Sequence, residues 1–374
     1  MKKLNRRELI KHIICGGGTC LLASPLLNTG ILAGNKNLFI TEAMYYEKKE
    51  KQKVICKLCP NECSIKNHKR GDCKTRENMD GILKSLVYSR AASVHIDPVE
   101  KKPLFHYLPG TKSFSIGTAG CNFTCKFCQN WEISQFRPEE VDSIYLSPED
   151  IIKNAQKEHC ATVSGTYNEP VIFYEYLYKI ARTGKDRGIK CVMISNGYIN
   201  EKPMKELCKY LGAVKIDLKA FSDTFYSDIC GGELEPVLKT LKLLKSQGMW
   251  FEIVVLIIPA LNDSITEIKS MATWIKNNIG ADVPLHFSRF HPIYKMKNLP
   301  STPVKTLERA RDTALKAGLH YVYIGNVPGH AGENTYCPGC KKLLIQRVGF
   351  EIIKNSLKNG KCPSCSYKIA GIWK

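Results

Sequence analysis

Between about residues 113 and 325, short apolar runs alternate with longer stretches in which apolar residues recur at every third or fourth position. Runs of the first kind predict buried β-strands, and stretches of the second kind predict amphipathic helices. The expected strands are 113–118, 161–165, 191–195, 214–218, 251–257, 285–290 and 321–325. The expected helices lie near 148–158, 170–187, 202–210, 234–247, 264–278 and 303–317.

Prolines and glycines mark the ends of these helices. A proline in the first turn of a helix sacrifices no hydrogen bond, and glycine readily adopts the conformation that ends a helix. Prolines stand at or near the expected starts, and glycines at the expected stops: Pro148, Pro170, Pro203 and Pro303, then Gly188, Gly212, Gly248, Gly280 and Gly318. This placement supports the helices predicted from periodicity.

The regular alternation of strands and helices predicts an α/β fold with a parallel sheet and right-handed crossovers. The units are too few for a full eight-fold barrel, so we expect a partial (βα)₆ TIM-like barrel over residues 105–330. In such a barrel the chemistry lies at the C-terminal ends of the strands. Polar residues should therefore follow each strand.

The first 40 residues read as a leader. A basic start is followed by a mostly apolar stretch, and Arg6-Arg7 lie in a segment similar to a twin-arginine export signal, with Ala33 as a candidate cleavage position. The alternative is an N-terminal amphipathic or membrane-tethered helix. We expect no transmembrane span beyond this leader. The sequence leaves open whether the protein is exported or stays in the cytoplasm.

The net charge of +20 arises from 55 basic and 35 acidic residues. Its lysines are spread along the whole chain, which is typical of a solvated basic surface. A basic face can attract nucleic acid, but no nucleic-acid-binding motif accompanies the charge. We therefore expect no nucleic-acid partner.

The chain has 17 cysteines, and eleven of them fall into three closely spaced groups. Cys121, Cys125 and Cys128 follow the first predicted strand in a CxxxCxxC pattern, with no fourth cysteine nearby in the sequence. Three thiolates can hold three irons of a [4Fe–4S] cluster and leave the fourth iron open. Zinc is the alternative, but structural zinc sites use four closed ligands.

This motif, with Phe127 before its last cysteine, resembles the radical S-adenosylmethionine (radical SAM) superfamily. The resemblance implies an oxidoreductase in which the open iron binds S-adenosylmethionine. An electron from the cluster then cleaves the sulfonium, and the resulting 5′-deoxyadenosyl radical abstracts hydrogen from a substrate. It also implies a low-potential electron donor of the flavodoxin or ferredoxin type. No catalytic residue is assigned.

Polar residues follow the second and third predicted strands. Asn168 and Glu169 occupy the position at which the family holds the methionine amino group, although the usual Gly-Gly-Glu is absent. Ser195 and Asn196 end the third strand. The resemblance implies cofactor binding for all four. For Glu169 the alternative is an acidic residue that stabilises the first turn of a helix.

The fourth strand carries Lys215, Asp217 and Lys219, which alternation sends to one face. Such a charged trio is costly in a core unless its members pair with each other or bind a ligand. Asp217 and Lys219 match a segment that contacts S-adenosylmethionine in glycyl-radical-enzyme activating enzymes. His291, after the sixth strand, resembles a further cofactor residue, although a lone histidine is more often structural.

Two further cysteine groups flank the barrel. The first, in an N-terminal region over 41–104, suits a closed zinc site or a second cluster: Cys56, Cys59, Cys63 and Cys73. The second, in a C-terminal module over 331–374, forms two CxxC pairs typical of a zinc ribbon or of a rubredoxin-like iron site: Cys337, Cys340, Cys362 and Cys365. Structural zinc is the expected occupant of the second group.

The order of the motifs over residues 54–374 resembles the AmmeMemoRadiSam-system radical SAM enzymes, which are similar to pyruvate formate-lyase activating enzymes. The motifs are an N-terminal Cys-x-Leu-Cys-Pro, the CxxxCxxC triad, Thr-Tyr-Asn-Glu-Pro, Ile-Asp-Leu-Lys and a final Ala-Gly-Ile-Trp. The resemblance implies partners of the Memo and AMMECR types. Two alternatives stay open, namely a glycyl-radical-enzyme activase and a non-catalytic zinc-binding interaction protein.

Overall fold

The structure is a computed structural model that describes residues 39–374. The predicted leader at 1–40, with its twin-arginine motif and Ala33, lies outside the described residues apart from its last two positions. Within the described part of the chain, no helix has both the length and the apolar character that crossing a bilayer requires.

The N-terminal region consists of short strands. Three of them form an antiparallel sheet in the order β1-β6-β5, and three form another in the order β2-β3-β4. Their bounds are β1 Thr41–Glu42, β2 Tyr46–Lys48, β3 Val54–Cys56, β4 Ser64–Ile65, β5 Arg76–Met79, β6 Ile82–Ser85 and β7 Arg90–Ala91. Strand β7 pairs with the later β10, Ile144–Tyr145.

An eight-stranded sheet forms the centre of the protein, in the order β16-β15-β14-β13-β12-β11-β9-β8. Its seven strands from β9 to β16 are parallel, and β8 pairs antiparallel with β9 at one edge. The bounds are β8 Ser93–Pro98, β9 Lys112–Gly117, β11 Thr162–Gly165, β12 Lys190–Ser195, β13 Leu211–Asp217, β14 Phe251–Ile257, β15 Leu285–Arg289 and β16 Val322–Gly325.

Helices connect the parallel strands and bury their apolar faces against the sheet. They are α1 Trp131–Ser134, α2 Pro148–Lys157, α3 Tyr174–Asp186, α4 Glu201–Cys208, α5 Asp223–Phe225, α6 Leu234–Ser246, α7 Ile265–Asn278 and α8 Val304–Lys316. A 3₁₀ turn, Pro170–Phe173, leads into α3. Local chemistry fixes their starts: the Ser147 hydroxyl accepts a hydrogen bond from the Asp150 amide, and Pro148 opens α2.

The α/β fold with a radical-SAM-type partial barrel is confirmed. All seven predicted strands are present, and a helix stands in each of the six intervals between them. Strand β8 was not predicted, because its sequence contains His95, Asp97 and Pro98 and so has no apolar run. Pairing with β9, for example Val94 with Ile116, holds β8 at the edge of the sheet. The sheet therefore begins earlier in the chain than residue 105.

A small antiparallel sheet follows the barrel, in the order β17-β18-β19. Its bounds are β17 Thr335–Tyr336, β18 Leu343–Val348 and β19 Glu351–Asn355. Its apolar side chains form a separate cluster with residues from the base of the barrel, including Phe105, Tyr321 and Tyr323. The C-terminal module is thus packed on the end of the barrel opposite the C-terminal ends of the strands.

The last residues of the chain close this base. The Ile372 amide donates to the His106 carbonyl at 2.8 Å, and the Leu108 amide donates to the Ile372 carbonyl at 2.7 Å. The His106 ring contacts the Ala370 carbonyl at 2.6 Å. Buried Glu252 accepts the Phe105 and His106 amides at 3.0 and 2.8 Å, so both of these backbone donors are satisfied.

Candidate functional site

The loop that carries Cys121, Cys125 and Cys128 begins directly after β9, at the C-terminal end of the parallel sheet. Two backbone hydrogen bonds pin it to a distant segment, from Thr124 N to Cys230 O at 2.8 Å and from Lys126 N to Ile229 O at 3.0 Å. Cys125 is buried, while Cys121 and Cys128 are half-buried. The structure therefore brings the predicted triad to the mouth of the barrel.

The spacing of these sulfurs fits a cluster better than a single ion. Each of Cys125 and Cys128 is near enough to perturb Cys121 electrostatically. Among the described residues, however, the triad does not form a group whose sulfurs all lie within 4.8 Å of one another. A cluster core separates its thiolates in this way, because each one binds a different iron. The donor set and its spacing thus fit a [4Fe–4S] cluster.

Cys230 lies beside Cys125, although more than a hundred residues separate them in the chain. The neighbouring Cys230 side chain and the Lys219 ammonium lower the pKa of the Cys125 thiol against the effect of burial. The Cys125 side chain and burial raise the pKa of Cys230 well above its usual range. Cys230 is thus a further cysteine next to the triad. Its sequence position carries no signal of this proximity.

Glu169 forms the centre of a buried network. Its carboxylate accepts hydrogen bonds from the Ser195 hydroxyl at 2.6 Å, the Asn196 amide at 2.7 Å and the Val171 amide at 3.1 Å. Burial raises the pKa of Glu169 to about 7 in spite of these bonds. A carboxylate can accept about four hydrogen bonds, so one position stays free for the ammonium group of a ligand.

Asn196 connects this network to the cluster loop. Its side-chain amide donates to the Asn122 side-chain oxygen at 2.9 Å, and Asn122 in turn donates to the Tyr198 carbonyl at 2.9 Å. Glu169 is close enough to contribute, after burial itself, to the raised pKa of Cys121. The predicted residues of the second and third strand ends therefore surround the triad. Asn122 was not singled out from the sequence.

Asn168 contacts the start of the cluster loop. Its side-chain oxygen accepts from the Thr118 amide at 3.0 Å, and its side-chain nitrogen donates to Thr118 Oγ1 at 3.1 Å and to the Gly120 carbonyl at 2.9 Å. Both donor hydrogens are thus used within the protein. In this arrangement Asn168 positions the loop.

Lys215, Asp217 and Lys219 form a row of charges at the C-terminal end of β13, with Lys219 two residues beyond the strand. The Asp217 carboxylate accepts from Lys215 and, at 3.0 Å, from Lys219. Burial opposes ionisation of Asp217, but the two ammonium groups lower its pKa to about 2. Burial lowers the pKa of Lys215, which also lies within the electrostatic influence of Glu169. The pairing expected for a charged trio inside a core is present.

A second ion-pair group, absent from the sequence predictions, lies along the edge strand. Asp97 of β8 accepts from Lys102 at 2.5 Å and from the Tyr167 hydroxyl at 2.6 Å. Burial lowers the pKa of Lys102 to about 8, and Lys215 is among its charged neighbours. Tyr167 has a φ of 71°, an uncommon conformation for a non-glycine residue. No pattern in the sequence marks this strained backbone conformation of Tyr167.

His291 is exposed, and its ring nitrogen Nδ1 lies 3.3 Å from Ser301 Oγ. Within the described part of the chain it makes no hydrogen bond to another residue of the site. The structure does not join it to the Glu169 network.

The two outer cysteine groups differ in geometry. The four C-terminal sulfurs all lie within 4.8 Å of one another, with Cys337–Cys365 at 3.5 Å and Cys340–Cys362 at 3.6 Å. Tetrahedral zinc with bonds of about 2.3 Å sets its sulfurs roughly 3.8 Å apart, so this group fits a single ion. The N-terminal group does not converge in this way but lines one cavity: Cys56, Cys59, Cys63 and Cys73.

Comparisons with known proteins agree with this site. The sequence profile of the Radical SAM superfamily matches residues 115–275, which include the triad and the strand ends described above. The uncharacterized protein MJ0808 of Methanocaldococcus jannaschii is 47% identical over 330 residues, or 88% of this chain and 98% of that protein.

Weaker similarities are to proteins whose names state an activity. The pyruvate formate-lyase-activating enzyme of Clostridium pasteurianum is 25% identical over 167 residues, which are 42% of this chain and 67% of that enzyme. Among solved structures, a radical SAM methyltransferase from Sphaerobacter thermophilus aligns with a TM-score of 0.46 and 13% identity, over 60% of this chain and 70% of the other.

Proposed function

Because this chain belongs to the radical SAM superfamily, we propose that it is an oxidoreductase that holds a [4Fe–4S] cluster on Cys121, Cys125 and Cys128. When bound, the cluster supplies the electron that cleaves S-adenosylmethionine, which yields a radical able to abstract hydrogen from a substrate. The observation that carries the proposal is the meeting of three separated sulfurs with buried Glu169 at the mouth of the barrel.

The residues around the triad supply binding and orientation. We assign Glu169 to the ammonium group of S-adenosylmethionine, because its carboxylate is held by three donors and has one acceptor position free. Ser195 and Asn196 orient that carboxylate, and Asn168 holds the loop. We assign the ion-paired Asp217 and Lys219 to a second polar contact with the cofactor. The buried strand ends keep water away from these groups.

The direct test is formation of 5′-deoxyadenosine. The full chain is purified without oxygen, loaded with iron and sulfide, and given S-adenosylmethionine and dithionite. Cys125→Ala should abolish the product, whereas Cys208→Ala, at a half-buried position at the end of α4, should retain it. Absence of 5′-deoxyadenosine from a cluster-loaded wild-type sample would overturn the proposal. Zinc without iron would favour the non-catalytic alternative.

A glycyl-radical-enzyme activase is the second candidate. It is supported by the similarity to activating enzymes, including the benzylsuccinate synthase activating enzyme of Thauera aromatica at 22% identity over 213 residues. In that case the hydrogen would come from a backbone glycine of a partner enzyme. Electron paramagnetic resonance on mixtures with candidate partners tests it, and an absent glycyl radical on all of them counts against it.

We further propose membership of the AmmeMemoRadiSam type, with Memo-type and AMMECR-type partners and a flavodoxin-type or ferredoxin-type electron donor. The order of motifs over residues 54–374 supports this assignment. Co-purification of the tagged full chain with each partner type tests it. Failure to bind either partner type would remove the assignment but leave the superfamily chemistry in place.

A further inference from the structure

Four cysteines of the N-terminal region surround one cavity. Cys56 lies at the end of β3, Cys59 and Cys63 follow it in a turn, and Cys73 precedes β5. Cys56 and Cys73 are buried, whereas Cys59 and Cys63 are half-buried. We propose that these four cysteines hold a second [4Fe–4S] cluster, packed directly against the loop that carries the first.

The spacing of the sulfurs distinguishes a cluster from a single ion. Four ligands on one tetrahedral zinc must lie roughly 3.8 Å apart, as the C-terminal cysteines do. Among the described residues, no three of the four N-terminal sulfurs lie within 4.8 Å of one another. Yet all four cysteines line one cavity. A four-iron core fits this wider arrangement.

The buried guanidinium of Arg76 forms part of the cavity wall. Arg76 is 1% exposed and lines the cavity with the cysteines. Its Nη2 donates to both Glu175 carboxylate oxygens at 2.7 Å, and its Nη1 donates to the Met44 carbonyl at 3.3 Å. The Nε of Arg76 is buried and has no hydrogen-bond partner among the described residues.

An unpartnered N–H in a dry interior costs about 1–3 kcal/mol, so a missing acceptor is expected beside Arg76 Nε. Cluster sulfides and cysteine thiolates accept hydrogen bonds, and a four-thiolate cluster carries negative charge. Thiolates bound to zinc would accept such a hydrogen bond as well, so the choice of a cluster over zinc rests on the spacing of the four sulfurs.

The cavity adjoins the first site. Asn122, the neighbour of Cys121, is part of its lining. Gly120 has a φ of 87°, and a Cβ at this position would lie 2.5 Å from the Cys73 carbonyl oxygen. Only glycine permits this approach, so the two cysteine-bearing segments are in direct contact.

The test counts iron, acid-labile sulfide and zinc in the anaerobic full chain. The variant Cys121→Ala/Cys125→Ala/Cys128→Ala should keep about four irons and about four sulfides. Adding Cys56→Ala/Cys59→Ala should remove both, whereas adding Cys160→Ala/Cys208→Ala should not. Iron on the C-terminal cysteines would add no sulfide. Zinc with no sulfide in the triad variant overturns the proposal.

The wild-type protein gives a second measurement that does not depend on any variant folding. In a sample that forms 5′-deoxyadenosine it should contain about eight irons and about eight sulfides, and about four of each in such a sample would overturn the second cluster. After dithionite reduction, contact between the sites predicts magnetic coupling in the resonance spectrum. A spectrum equal to the sum of two isolated clusters overturns their proximity.

The wild-type count and the coupling measurement rest on the proposed function, because both need the cluster on Cys121, Cys125 and Cys128. The sulfide count in the triad variant tests the second cluster by itself, and 5′-deoxyadenosine formation tests the proposed function by itself. The two failures are therefore distinguishable.

Discussion

At the scale of single residues, the proposed role of Glu169 implies that ligand binding depends on pH. Its carboxylate is 4% exposed and carries three hydrogen bonds, yet burial raises its pKa to about 7. An ammonium ligand binds the ionised form and disfavours the protonated form. Near neutral pH, the Glu169 carboxyl is therefore partly ionised and partly protonated.

We predict that the affinity for S-adenosylmethionine rises from pH 6 to just above pH 7, because Glu169 ionises with a pKa of about 7, and falls again above about pH 8, because the α-amino group of the ligand then loses its proton. Protonation of Glu169 below its pKa removes the negative charge, so binding weakens as pH falls. Anaerobic calorimetry on the cluster-loaded protein measures the effect.

The variant Glu169→Gln should bind S-adenosylmethionine weakly at every pH in this range. The control variant Glu201→Gln changes an exposed residue at the start of α4 and should keep the wild-type pH profile. A profile for Glu169→Gln that matches the wild type would contradict the assignment.

The sequence indicated which residues lie close together at this end of the sheet, but not how they are connected. Spacing and strand-end position led to the triad, Glu169, Ser195, Asn196 and the charged trio at the end of β13, and the cofactor roles of these residues stay predictions. Asn122 and Cys230 reach the triad through contacts between distant segments, and no local pattern marks such contacts. His291 matched a motif position, but the chain after β15 leaves it exposed.

At the scale of elements, periodicity predicted the barrel because each strand and helix buries a continuous apolar face. Strand β8 was not predicted, because its apolar and polar residues do not alternate regularly. Its position in the sheet depends instead on hydrogen bonds to β9 and on the Asp97–Lys102 ion pair. The C-terminal strands contain apolar residues, but many of these are not buried. The apolar cluster of this module is small, and exposed Leu343, Val348 and Ile353 lie on β18 and β19.

We predict that the C-terminal module depends on one metal ion, because so small a core rarely holds a fold without one. Cys340→Ser should lower the zinc content by about one equivalent per chain and lower the thermal unfolding midpoint. Elemental analysis and calorimetry measure the two effects. Cys160→Ser, in a buried cysteine outside the three groups, is the matched control for metal content. Unchanged zinc in Cys340→Ser would refute the prediction.

At the scale of the whole molecule, the two ends of the described chain converge on the barrel from opposite sides. The N-terminal region packs against the cluster loop through Gly120, and the C-terminal residues pack beneath the sheet on His106. Trp373 lies 5.2 Å from the His106 ring, centroid to centroid, and its indole nitrogen donates to the Ile369 carbonyl at 3.1 Å. These contacts join module and barrel into one unit.

We predict that Trp373→Ala destabilises the protein by about 2–3 kcal/mol, somewhat less than for a fully buried tryptophan. The indole covers Gly371 and Gly360, where a Cβ would approach it to 2.5 and 2.9 Å, so its loss leaves a space that the neighbours cannot fill. Urea unfolding of the anaerobic protein, followed by fluorescence, measures the change. Phe350→Ala, at a position that is 45% exposed, should have a much smaller effect. Equal effects of the two variants would contradict this account.

The closure of the base also bears on the kinetics of folding. His106 contacts Ala370 across 264 positions of sequence. A contact between residues so distant in sequence stabilises the chain only after the long loop between them has closed, and such contacts slow folding. The hydrogen bonds that join Ile372 to His106 and Leu108 therefore belong to the late steps of refolding, and we expect the amides of Ile372 and Leu108 to gain protection from hydrogen exchange after those of the central strands.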